Sequence, residues 1–233
     1  TLVQGPPGTG KTKTAIAILL AWVRSGRGTI LAASDSNIAV DNLLEALASH
    51  GVKVVRLGRP DSVRPELVQY CPDAATGRES MSAQEKHDAK NRAVREAQVV
   101  CATCIGAGTE VLARTRFPCV LIDEATQATE AATLVPLCRG AQQLVLLGDQ
   151  CQLPPTVVCR HRAATDGAKP LFTRLLADGV PCVMLDTQYR MHPALAAYPS
   201  AAFYGGRLAS GVSEEARPPP RGIAWPHADA DGH

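Results

Sequence analysis

The sequence predicts an α/β fold, a parallel sheet with helices on both faces built on a phosphate-binding loop. Three observations carry that expectation. Gly5-Pro6-Pro7-Gly8-Thr9-Gly10-Lys11-Thr12 fits G-x-x-x-x-G-K-[ST]. Short apolar runs then alternate with helical stretches, the rhythm of strand–helix–strand units. One of those runs, Cys119-Val120-Leu121-Ile122, ends in Asp123-Glu124, and the carboxyl ends of strands are where open α/β sheets place their chemistry.

In the loop, glycines let the backbone turn tightly with its N–H groups aimed inward at phosphate oxygens. Lys11 can reach the β- and γ-phosphates and the Thr12 hydroxyl can ligate Mg²⁺. Leu2-Val3 reads as the end of a strand, and residues 12–24 as a helix whose N-terminal dipole faces the anion. Asp123 has the expected position of the second Mg²⁺ anchor, directly or through water. Glu124 beside it can polarise an attacking water. Taken alone, the two acids would fit a plain strand end on the surface as well; the phosphate loop favours the chemical reading.

The remaining elements follow in order. Residues 15–23 are apolar almost all round, as in a helix packed against a sheet. Residues 29–33 form a short buried strand. Ser34-Asp35-Ser36-Asn37 can cap a helix over 38–49, and 52–57 is the next strand. Residues 59–98 break the rhythm: the segment is polar, holds Pro60, Pro65 and Pro72, and ends in a charged helix opening at Ser82-Ala83-Gln84-Glu85 with capping-box spacing. It carries seven basic and seven acidic residues, so it reads as a solvated insertion rather than a basic clamp. The sheet resumes at 98–103, with a turn and short helix at 104–108, a helix over 125–138 despite Pro136, and a strand over 143–147. A helix over 170–177 and a strand over 182–185 follow. Arg160-His161-Arg162 reads as a solvated cluster, and the stretch around Pro218-Pro219-Pro220 as irregular.

Composition excludes some classes. The chain has 233 residues, 45% hydrophobic and 20% charged, and no apolar run near the ~20 residues of a membrane span. Lys and Arg total 24 against 22 acids, which is no polyanion signature, although a groove can bind nucleic acid through backbone groups and stacking. Eight cysteines raise the question of zinc. Cys101-x-x-Cys104 has no second pair at ribbon spacing, Cys119 and Cys182 lie in apolar runs, and Cys159-Arg160-His161 is too close for a zinc knuckle. Reduced, mostly buried thiols of an intracellular protein are expected.

Six ordered motifs add a resemblance. These are G-P-P-G-T-G-K-T at 5–12, S-N-I-A-V-D at 36–41, A-T-C-I-G-A-G at 102–108, D-E-A-T-Q at 123–127, G-D-Q-C-Q-L-P-P at 148–155 and Q-Y-R-M-H-P at 188–193. Over nearly its whole length the chain resembles a superfamily 1 helicase of the 5′→3′ subgroup, up-frameshift helicases above all. The resemblance implies a RecA-like first lobe over 1–180, interrupted by a helical subdomain near 59–98, and the incomplete start of a second lobe over 181–233. It implies that Lys11, Thr12 and Asp123 hold phosphate and Mg²⁺, Glu124 is the base, Gln152 senses the γ-phosphate, Tyr189 lies beside adenine and Arg190 is an arginine finger. Ser36, Asn37, Thr103, Pro154, Pro155 and Thr156 would line single-stranded RNA or DNA. ATP and Mg²⁺ are the implied cofactors, mRNA-decay factors the implied protein partners, and the cytoplasm or nucleus the implied location.

The chain departs from the pattern in places. Ser34-Asp35 stands where the family has Ala-Pro, which sets a negative charge beside the nucleic-acid path. The glutamine-bearing segment upstream of the loop and the later second-lobe motifs are absent, so a piece of a longer protein is expected. Two other classes remain. A small P-loop GTPase or nucleotide kinase is disfavoured, because the chain has no Asn-Lys-x-Asp motif. An ATP-switched binding module without unwinding activity is disfavoured by intact Lys11, Asp123, Glu124 and Gln152.

Overall fold

The computed structural model describes residues 1–75, 82–157 and 168–218. Its chain forms two compact units: Thr1–Pro6 with Gly10–Leu185, and Pro7–Thr9 with the residues from Asp186 onward.

Seven parallel strands make the sheet of the first unit, in the order β3-β4-β2-β5-β6-β1-β7. They are β1 (Leu2–Gln4), β2 (Ile30–Ser34), β3 (Val54–Leu57), β4 (Val99–Thr103), β5 (Cys119–Asp123), β6 (Gln143–Gly148) and β7 (Cys182–Met184). Strands covered on both faces need apolar side chains in both phases of the pleat. Here Ile30, Ala32, Cys119 and Leu121 join one core, while Leu31, Ala33, Val120 and Ile122 join the other. The first core is closed by α1 (Lys11–Arg24), through Ala15 and Leu19, and by α2 (Asn37–Ser49), through Val40, Leu43, Leu44 and Leu47. Phe117, Ala128, Ala132 and Phe172 fill the opposite core.

The insertion is held together locally. After 3₁₀ turns at Pro60–Ser62 and Pro65–Tyr70 come the single helical turn α3 (Pro72–Ala75) and then α4 (Ala83–Glu96). The expected capping box is present: Ser82 Oγ accepts from Glu85 N–H (3.2 Å) and Glu85 Oε2 accepts from Ser82 N–H (2.8 Å). Of α4's side chains only Val94 is buried, as a solvated helix requires.

One element differs from its sequence expectation. The helix expected over 125–138 is α5, Glu130–Leu137, capped by Thr129 Oγ1 accepting from Ala132 N–H (3.3 Å). The five residues before Thr129 turn instead, because Glu124 has φ +53° and Ala125 N–H is drawn to the Leu147 carbonyl (2.7 Å). α6 (Leu171–Ala177) precedes β7. Of the seven described cysteines, all free thiols, Cys71, Cys101, Cys104 and Cys119 are buried while Cys138 and Cys151 are exposed. Burial pushes the Cys101 and Cys104 thiols up to about 12. The Arg160-His161-Arg162 cluster, Cys159 and Pro219-Pro220 lie outside the described residues.

The second unit is a strand–helix–strand module. β8 (Thr187–Gln188) pairs in parallel with β9 (Ala209–Ser210), joined through α7 (Pro193–Tyr204). His192 caps α7 with Nδ1 accepting from Ala194 N–H (3.1 Å), and Gly205 ends it in the left-handed conformation at φ +58°. Among the described residues no helix is long and apolar enough to cross a membrane.

Two substitutions separate core from cap. Leu121→Ala in the fully buried β5 should cost about 2–5 kcal/mol. Ser82→Ala should cost about 0.5–2 kcal/mol. Urea denaturation of both variants gives the comparison, and the larger loss belongs to Leu121.

Candidate functional site

The phosphate loop leaves β1 with Gly5 N–H bonded to the Gly148 carbonyl (2.9 Å). Gly10, at φ +82°, is the N-cap of α1, a conformation that a residue with a Cβ adopts only under strain. Lys11 is thereby the first residue of α1. Its Nζ donates to the Gly5 carbonyl (3.3 Å) and lies 3.3 Å from Glu124 Oε1.

Glu124 is the one non-glycine among the described residues with positive φ. Such strain costs about 1–3 kcal/mol and persists where surrounding bonds over-determine it. Three bonds do so here: Asp123 Oδ1 accepts from Glu124 N–H (3.0 Å), Ala125 N–H donates to Leu147, and Gln127 N–H donates to the Glu124 carbonyl (2.9 Å). The turn swings the Glu124 carboxylate to Lys11.

Asp123, the last residue of β5, is 1% exposed. Its carboxyl is raised to about 6, first by desolvation and then by the Glu124 charge; Lys11, the Glu124 N–H and the Thr12 hydroxyl pull the other way. The structure thus brings Lys11, Thr12, Asp123 and Glu124 together. A hydroxyl bonded to a carboxylate is a hard oxygen pair, the donor type Mg²⁺ takes alongside phosphate oxygens. Among the described residues no group of three or more His, Cys, Asp or Glu could hold a metal, and an ion held mainly by one hydroxyl, one carboxylate and phosphate needs none.

Gln152 is exposed, and its Nε2 donates to Asp149 Oδ2 (2.7 Å). Asp149 is buried and also accepts from Gln4 Nε2 (3.3 Å) and Cys151 N–H (3.2 Å), while its own N–H donates to Thr126 Oγ1 (3.1 Å). The sequence reading passed over Asp149 and Gln4. Their signal was an acid directly after β6 and a lone polar residue closing β1.

The segments expected to line nucleic acid leave the sheet at neighbouring strand ends, with Ser34 of β2 opposite Thr103 of β4. Ser36 Oγ caps α2 by accepting from Ala39 N–H (3.2 Å), and Thr103 Oγ1 accepts from Gly106 N–H (3.0 Å). Asn37, Pro154 and Thr156 are exposed and Pro155 is half-buried. Beside these segments stand three exposed aliphatic side chains that the sequence reading missed: Ile38 (71%), Ile105 (65%) and Leu153 (78%).

In the second unit, Tyr189 and Arg190 are exposed on a turn folded by Gln188. The buried Gln188 amide donates to the Met191 carbonyl (2.8 Å) and Ser210 Oγ (2.9 Å), and accepts from Arg190 N–H (2.8 Å) and Met191 N–H (2.7 Å). Arg217 donates to the carbonyls of Tyr189 (2.8 Å) and Arg190 (3.0 Å). Within the same unit Tyr189 N–H donates to the Gly8 carbonyl (2.9 Å).

The Asp123 carboxyl makes stability depend on pH. Below its ordinary value of 3.8 the group is protonated folded and unfolded; between 3.8 and about 6 only the folded chain keeps the proton. Stability therefore falls as pH rises through that window, by up to about 3 kcal/mol, and levels off above it. Without nucleotide, Asp123→Asn should flatten this slope between pH 4 and 7 in thermal melts, and an unchanged slope contradicts it.

Comparison with known proteins agrees with this geometry. One AAA domain family model matches residues 1–91 and 72–160, and a second AAA domain model matches residues 168–231. The chain is 41% identical over 241 residues to the regulator of nonsense transcripts 1 homolog of Arabidopsis thaliana, covering 91% of this chain and 19% of that protein. It is 36% identical over 248 residues to the ATP-dependent helicase upf1 of Schizosaccharomyces pombe, covering 93% of this chain and 27% of that one. The chain thus spans about a fifth to a quarter of the length of these relatives. Among solved structures, the arterivirus nonstructural protein 10 helicase in complex with DNA aligns with TM-score 0.56 and 14% identity over 90% of this chain and 41% of that one, a likeness of fold. With a parallel RecA-like sheet, its phosphate loop on β1 and AAA domain models matching residues 1–160, the chain belongs to the AAA domain family.

Proposed function

We propose that this chain is the nucleotide-binding part of an ATP-dependent helicase or translocase that moves 5′→3′ on single strands, RNA in preference to DNA. The observation that supports it best is the convergence of Lys11, Thr12, Asp123 and Glu124 at adjoining strand ends, beside Asp149 and Gln152. In this reading the first RecA-like lobe, expected over 1–180, runs on through β7, which pairs with β1, to Leu185, and the second lobe begins at Asp186 rather than at 181. Relatives bearing the names regulator of nonsense transcripts and ATP-dependent helicase favour RNA as the track; mRNA-decay factors as partners and a cytoplasmic or nuclear place of action complete the reading.

Lys11 binds the β- and γ-phosphates, exchanging its contact with Glu124 for theirs. Thr12 and Asp123 hold Mg²⁺, which when bound neutralises charge on the phosphates. Burial raises the Asp123 carboxyl, and a cation held against it would favour the charged form. Glu124, released from Lys11, takes a proton from the attacking water, and Gln152, steadied by Asp149, bonds the γ-phosphate. Ile38, Ile105 and Leu153 offer apolar surface to bases whose phosphates are met by the neighbouring polar groups. Tyr189 stacks near adenine and Arg190 balances charge in the transition state.

Tests belong in the full-length protein. Glu124→Gln should lower RNA-stimulated ATP hydrolysis ~10²–10⁴-fold with ATP affinity held. Lys11→Ala should weaken ATP binding roughly tenfold to over a hundredfold, since a charge-assisted bond contributes about 1.5–3 kcal/mol. Arg190→Ala should slow turnover ~10³–10⁵-fold with little loss of ATP binding. Turnover unchanged in Glu124→Gln sinks the catalytic assignment, and equal stimulation by single-stranded DNA sinks the preference for RNA.

A further inference from the structure

Arg56, in β3, is a fully buried arginine among apolar neighbours. Removing a guanidinium from water is costly, and buried ion pairs can often be replaced by apolar residues without loss of stability. Stability alone therefore does not account for a buried arginine, and its bonds point to a further role. Nε donates to Asp41 Oδ1 (2.9 Å), Nη1 to the Leu57 carbonyl (2.5 Å) and Nη2 to Asn37 Oδ1 (2.7 Å). The fork has room because Gly58 carries no Cβ, which would lie 2.9 Å from Nη1.

We infer that Arg56 is a positioning residue for the nucleic-acid contact of Asn37. A guanidinium has donors only, so it admits just one orientation of the Asn37 amide, with the oxygen inward. The amide's remaining groups are then the two N–H donors of Nδ2, the chemistry that phosphate oxygens accept. Asn37 itself is exposed at the start of α2; without the clamp its side chain would rotate freely and offer oxygen as readily as nitrogen. The clamp is tied to the insertion. The second Asp41 oxygen accepts from Arg64 N–H (3.0 Å), and the Arg64 side chain donates to Glu45 Oε2 (2.9 Å). The polar segment beginning at residue 59 is thereby bonded, through Asp41 and Arg56, to the Asn37 amide.

The inference rests on the proposed reading of Asn37 as a nucleic-acid contact, and a mutant cycle separates the two. In the full-length protein, binding of a fluorescein-labelled single-stranded oligouridylate is measured for wild type, Asn37→Ala, Arg56→Lys and Arg56→Lys/Asn37→Ala. Lysine keeps the charge beside Asp41 but lacks the fork. Arg56→Lys should weaken RNA binding roughly three- to tenfold, leave RNA-independent turnover and the KM for ATP unchanged, and add nothing in the Asn37→Ala background. A general structural role would move turnover, KM and RNA affinity together. If thermal melts show that Arg56→Lys does not fold, the pair substitution Asp41→Leu/Arg56→Met replaces it in the same cycle. RNA affinity unchanged by either Arg56 variant, or an equal loss with and without Asn37, overturns the positioning role and leaves the contact intact. No effect of Asn37→Ala alone overturns the contact reading and the positioning role with it.

Discussion

Parallel pairing of β5, β6 and β1 is the constraint on which the site depends. Because the three strands run the same way, with Gln4 level with Gly148 and Ile122 level with Leu146, their carboxyl ends emerge on one edge. The phosphate loop, an acidic pair and Gly148-Asp149 thereby become neighbours although the loop lies more than a hundred residues from the other two in sequence. No local preference could bring this about. It follows from apolar side chains in both phases of every central strand, which force helices onto both faces and leave only the strand ends open to water.

At that edge burial and like charge work against ionisation of Asp123. Asp123 is desolvated beside a second carboxylate, and Lys11, the Glu124 N–H and the Thr12 hydroxyl counter them at close range. Glu124 is held in a conformation that L-residues avoid. A cation against the two carboxylates would relieve their repulsion and favour the charged form of Asp123. Ligand binding can shift only an equilibrium whose two states it treats differently, and charge placed at this edge meets that condition.

Sequence made the phosphate loop, the acidic pair, the two-phase strands and the Ser82/Glu85 capping box legible, because each is written in adjacent residues. Three things were hidden. The first turn expected of α5 is lost to the left-handed Glu124, whose backbone is set by Leu147, a residue far along the chain. Asp149 and Gln4 orient Gln152 only after β6 and β1 have paired. Arg56 lies in a strand that reads as ordinary apolar sheet, and its partners Asp41 and Asn37 lie on a separate helix. Whatever depends on contact across elements was invisible to spacing, and the roles of Tyr189 and Arg190 came from resemblance alone.

The thiols distributed through the sheet amount to an internal clock. Cys101 and Cys104, with pKa raised to about 12, present almost no thiolate to an alkylating reagent while the sheet is closed, since the thiolate is the nucleophile. Cys138 and Cys151 stand exposed and are open to the reagent without any parting of the strands. The delay between the two classes measures how often the strands part rather than how reactive sulfur is. Because Cys101 and Cys104 flank the Thr103 turn at the end of β4, the record they keep is of opening at the proposed nucleic-acid face.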